Sequence, residues 1–163
     1  GTDGQEFSFP AVSVSAGSYI TVSYESLQFG NFLGSSPSYT SGSMGINGDD
    51  AIELFKSGSV IDVFGNINVD GSGQPWEYLD GWAYRDNGSL PNNGSWDISE
   101  WSFSGKNALD GESSNATASS PFPIGSFTSS GGGSSTTQSS DTFSGLTEGT
   151  YSISITDANG CVN

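Results

Sequence analysis

The chain has 163 residues, and its 18 acidic side chains stand against only Lys56, Arg85 and Lys106, for a net charge of −15. Three cations cannot displace the counterions of a phosphate backbone, so nucleic-acid binding is excluded and anionic membrane surfaces are disfavoured. With no His and a single Cys, Cys161, the sequence has no Ser-His-Asp triad, no conventional zinc site and no disulfide within the chain. Aromatics reach 12% while charged residues are only 13%, and Gly is abundant at 24. That balance predicts short strands joined by tight turns rather than disorder. No stretch approaches the roughly 18 apolar residues of a membrane span. No signal peptide opens the sequence, so export implies one already removed.

In chain order, Gln5 to Phe9 alternates, with Phe7 and Phe9 on one face. Val12 and Val14 continue the alternation. Ser18 to Tyr24, SYITVSY, is β-branched and aromatic and reads as a strand. Residues 25–48 read as a loop pinned to the core by Phe29, Phe32, Leu33, Tyr39 and Met44. Asp50 to Phe64 reads as a β-hairpin: AIELF, a Lys56-Ser57-Gly58-Ser59 turn, then VIDVF. Period-2 alternation predicts that Ile52, Leu54, Ile61 and Val63 are buried and that Glu53 and Asp62 face solvent or a partner. Trp76 to Arg85 reads as an extended segment or strand and EWSFS (100–104) as a short strand. PFPIGSF (121–127) reads as a closing strand. Ser129 to Ser140 has the composition of a flexible linker. Beyond it, YSISIT alternates Tyr151, Ile153 and Ile155. No amphipathic helix of convincing length is apparent.

GINGDDAIELFKSGSVIDVFG (Gly45 to Gly65), followed by WEYLDGWAYR and WSFSGKNALDGESSNATASSPFPIG, resembles the lamin-tail-like domain of bacterial secreted proteins over roughly residues 4 to 127. The resemblance implies an all-β, immunoglobulin-like β-sandwich without catalytic residues. That family usually opens with one strand more than precedes EFSFP here. SGLTEGTYSISITDANGC (Ser144 to Cys161) is similar to the closing half of SprB-type repeats in surface adhesins of gliding bacteria. Those repeats often carry a second Cys, absent here. The expected organisation is a lamin-tail-like sandwich over 1–128, a Gly/Ser-rich linker over 129–141 and a partial adhesin-type repeat over 142–163.

Twelve of the 18 acids lie between residues 49 and 112. Calcium takes about six to eight oxygens from flexible loops, so Asp49, Asp50, Asp70, Asp80 and Asp110 are its candidate ligands. The competing reading is that these are turn residues bonding their own backbone. Trp76, Tyr78, Trp82 and Tyr84 are candidates for stacking on glycans. The competing reading is that they fill a small core. Sequons occur at Asn87, Asn93 and Asn115. Cys161 is a candidate for an intermolecular bond. A sandwich lacking a strand leaves an edge that invites pairing, and Tyr151, Ile153 and Ile155 offer a tethered strand to fill it.

The sequence therefore predicts a noncatalytic secreted or cell-surface module for adhesion or for assembly of an extracellular structure. Its expected partners are other copies of itself or surface proteins, without membrane insertion. The alternatives are a carbohydrate-binding module and an accessory domain of a secreted hydrolase.

Overall fold

A computed structural model describes residues 6–15 and 17–129 of the chain. The tail from Ser130 onward, with Tyr151, Ile153, Ile155 and Cys161, lies outside the described residues. Among them, 17% are strand and 11% helix, which is compatible with the expected β class.

The elements are β1 (Val22–Ser23), α1 (Leu27–Leu33), β2 (Tyr39–Thr40), β3 (Ile52–Lys56), β4 (Ser59–Phe64), β5 (Ala83–Arg85) and β6 (Trp101–Phe103). Short 3-10 turns cover Gly42–Met44 and Ile98–Glu100. Among the described residues the strands form three two-stranded ladders: β1 with β2 in parallel, then β3 with β4 and β5 with β6, both antiparallel.

The expected hairpin is present as β3–β4. Ser57 (φ 51) and Gly58 (φ 82) are both left-handed, which matches the mirror-image two-residue turn that suits the twist of its strands. The expected burial pattern is corrected. The register shifts between Leu54 and Phe55, where Leu54 opposes Asp62 but Phe55 opposes Val60. Ile61 is thus an extra residue on β4, a bulge. Ile52 and Leu54 consequently share a face with Phe64 and Asp62, not with Ile61 and Val63. Val63 is buried at 4% exposure, while Ile52 and Leu54 stand 42% and 44% exposed.

The 25–48 loop contains a helix the sequence reading missed. The Glu25 carboxylate accepts from the N–H groups of Leu27 (2.7 Å), Gln28 (2.9 Å) and Phe29 (3.3 Å). A negative charge at that end satisfies donors that have no partner inside the helix. Gly34, left-handed at φ 77, ends α1 and donates to the Gly30 carbonyl. Phe29, Phe32, Leu33, Tyr39 and Met44 are half-buried, as the pinned loop requires.

Two other strand expectations are also corrected. Only Val22–Ser23 of SYITVSY joins a ladder. PFPIGSF forms no strand; it turns at Ile124-Gly125 and packs Phe122 and Phe127 on Tyr84, with ring centroids 6.3 and 6.4 Å apart.

The core centres on Phe64. Its ring meets those of Trp76, Tyr78, Trp96, Trp101 and Phe103 at 4.8 to 6.3 Å, mostly edge to face. This cluster packs β4 against β6 and the turns between them. Gly71 has no Cβ because Trp76 and the Asp49 carbonyl occupy that space. Only Val63, Phe64 and Trp76 are buried hydrophobics among the described residues.

Candidate assembly surface

Arg85, on β5, is half-buried and bridges two ladders. Its guanidinium pairs with Asp62 of β4 and with Glu100 at 3.2 Å, and lies 4.6 Å over the Trp101 ring. Asp62 thus faces a partner, and its Oδ1 also accepts from the Asn92 N–H. The planar fork and the ring-stacking face of Arg suit such a site.

The aromatic candidates do not form one platform. Trp76 is 4% exposed, which removes it as a sugar-stacking ring. Tyr78 packs beside it on Phe64. Burial raises the Tyr78 phenol above its ordinary pKa, and the Asp50 and Asp49 charges raise it further. Trp82 and Tyr84 lie instead against Phe122, and the Trp82 indole donates to the Ser120 carbonyl.

Three of the five acidic candidates, Asp49, Asp50 and Asp70, have carboxylates that accept from the chain's own donors. Asp49 and Asp70 meet at Ser72, one accepting its hydroxyl and the other its N–H, at 2.9 Å each. Asp50 accepts from the Asn47 N–H. Asp80, left-handed at φ 48, lies on a separate turn, and its carbonyl accepts from the N–H of Leu109, beside Asp110. Among the described residues no three His, Cys, Asp or Glu side chains are grouped to hold a metal ion. Glu77, which the sequence reading did not single out, is buried. Lys106 at 2.7 Å and the Gly73 N–H hold its carboxyl below the ordinary carboxylate pKa. Asp97 is lowered likewise by the hydroxyl and N–H of Ser99.

Of the sequons, Asn115 exchanges two hydrogen bonds with Phe122. Asn87 accepts from Tyr84 and from the Thr128 N–H. Asn93 is exposed.

The ladder edges differ in how they are closed. Val63 turns its N–H and C=O away from β3, and Asn92 occupies them: Oδ1 accepts the N–H at 3.0 Å and Nδ2 donates to the carbonyl at 2.8 Å. The Asn93 N–H meets the Ile61 carbonyl. A side chain thus seals the outer edge of β4. Glu53, opposite Val63, must likewise point its peptide groups outward, and no strand lies on that side of β3 among the described residues. Beside it Ile52 and Leu54, with Tyr78, Ala83 and Trp101, line an apolar hollow of about 190 Å³.

A larger groove, about 380 Å³, runs between β1 and β5 and is lined by Phe29 and Leu33 of α1 and by Phe122. Ser104 donates to Trp82 and Asp86 to Glu100 across the β5–β6 ladder. In an antiparallel pair, hydrogen-bonded positions alternate with open ones. Ala83 and Arg85 therefore aim their N–H and C=O away from β6. On β1, the Thr21 and Ser23 carbonyls serve β2, so Val22 aims its peptide groups away from β2. Tyr19, Ile20 and Ile124 at this groove are 52%, 42% and 37% exposed.

Comparison of the chain with known families, characterised proteins and solved structures returned no significant match.

Proposed function

We propose that the chain is a noncatalytic secreted or cell-surface module, an immunoglobulin-like β-sandwich whose copies join by strand exchange in adhesion or in assembly of an extracellular structure. The observation that supports this reading is the set of open ladder edges beside apolar surface. Three two-stranded ladders carry outward peptide groups at Val22, Glu53, Ala83 and Arg85, and large apolar side chains stand exposed next to them. Unpaired edges recruit extended segments. The same chain carries, from Tyr151 to Thr156, a sequence that alternates in the pattern such edges pair with. A contact from the tail of one copy to the edge of the next is head-to-tail and need not close, which suits a filament.

Burial of Trp76 takes one of the four glycan-stacking candidates out of reach of a sugar. The test is self-association of the full chain with and without Ile153→Pro, which removes a strand donor from the tail. The reading predicts concentration-dependent growth of the unaltered chain and a monomeric variant. Equal association of both, or a chain monomeric at all concentrations, contradicts it.

A further inference from the structure

We infer that the groove between β1 and β5 is the acceptor slot for the Tyr151-to-Thr156 strand of a second copy. The inference rests on the strand-exchange reading and adds where the strand goes. Three observations select this groove over the β3 edge. It has strands for both walls, and each wall offers outward peptide groups, Val22 on one side and Ala83 and Arg85 on the other, with no described residue on them. Outward peptide groups stand on either side of this groove, whereas at β3 they stand on one side. The groove is also twice the size of the β3 hollow, about 380 against about 190 Å³. Its apolar lining from Phe29, Leu33 and Phe122 accepts the side chains that alternate on one face of the donor, Tyr151, Ile153 and Ile155. Successive strand side chains point to opposite faces, so Ser152, Ser154 and Thr156 fall on the other side.

Chain length permits the reach. The described residues end just beyond Phe127, a groove residue. From Ser130 to Thr150 an extended chain covers up to about 70 Å, enough to enter the slot of a neighbour. Charge agrees as well. The segment 150–156 carries no charged side chain, so a chain of net charge −15 offers its own copies an uncharged strand.

Ala83→Pro is the most direct test, because it removes an outward N–H and leaves the ladder bonds of Trp82 and Tyr84 to β6 in place. Ile20→Lys is the second variant; it alters an exposed groove residue and no ladder bond. Sedimentation velocity of the full chain should show each variant associating at least tenfold more weakly, with an unchanged thermal midpoint. Amide hydrogen exchange should become slower at Val22, Ala83 and Arg85 as the unaltered chain associates. If Ile153→Pro blocks association while Ala83→Pro and Ile20→Lys associate normally, the slot is elsewhere and strand exchange survives. If the three amides are equally protected in the dilute monomer, the slot is filled from within the chain and the inference fails.

Discussion

Truncating Phe64 tests the packing account most severely. The side chain is 6% exposed, and five aromatic rings stand within 4.8 to 6.3 Å of its own. Phe→Ala in a packed core costs about 3–5 kcal/mol, and each well-oriented ring pair adds about 0.5–1.5 kcal/mol beyond area burial. Two facts pull in opposite directions. Five ring contacts argue for the upper end. The hollow beside Phe64 argues for the lower, because water can enter the space left behind. We expect about 4 kcal/mol, a large part of the roughly 5–15 kcal/mol of an ordinary domain. The corresponding fall in midpoint is roughly 10–20 °C. Urea unfolding followed by tryptophan fluorescence and by near-ultraviolet circular dichroism measures it, since Trp76, Trp96 and Trp101 surround the site. A loss under about 1 kcal/mol would refute the claim that this cluster is the organising core.

Arg85→Met should cost about 2–4 kcal/mol, because it leaves the partly buried Asp62 without its countercharge; a neutral result in urea unfolding would mean the bridge between ladders is ornamental. Acid should destabilise the fold. Glu77 and Asp97 sit below their ordinary values when folded, so their stabilisation is complete above the unfolded range, near 4.5 for Glu, and is lost as pH falls through the folded values. Glu77→Gln should flatten part of that acid limb in midpoints measured between neutral pH and about pH 3, and an unchanged slope would remove Glu77 from the account. Millimolar calcium should leave the midpoint where chelator leaves it, because Asp49, Asp50 and Asp70 already accept the chain's own donors; a clear rise would reveal a native-state site.

The hairpin was legible in the sequence because its turn and its β-branched runs are local signals. Its faces were not. One extra residue at Ile61 turns part of β4 over, and nothing in an alternating VIDVF announces a bulge. The helix at Leu27–Leu33 escaped because LQFGNFL is too short for a periodic signal; Glu25 before it and Gly34 after it were the readable cues. The aromatic run from Trp76 to Tyr84 was visible as a cluster, but its division between Phe64 and Phe122 depends on a turn at Asp80 that composition does not fix. Arg85 and Asn92 were missed for a related reason. A single Arg in an acidic chain reads as solvated, and an Asn in PNNG reads as a turn residue. Only the fold brings Arg85 over Trp101 and sets the Asn92 carboxamide along β4. The candidate metal and glycan residues stand out in the sequence by chemical type, whereas the open peptide groups at Val22, Ala83 and Arg85 belong to the backbone and have no signature in side-chain identity.

Sedimentation velocity of the full chain, from micromolar to millimolar concentration at physiological salt, tests the central claim most directly. Strand exchange predicts a series of species that lengthens with concentration and collapses to monomer when Ile153 is replaced by Pro. A single monomeric boundary across the whole range would contradict it.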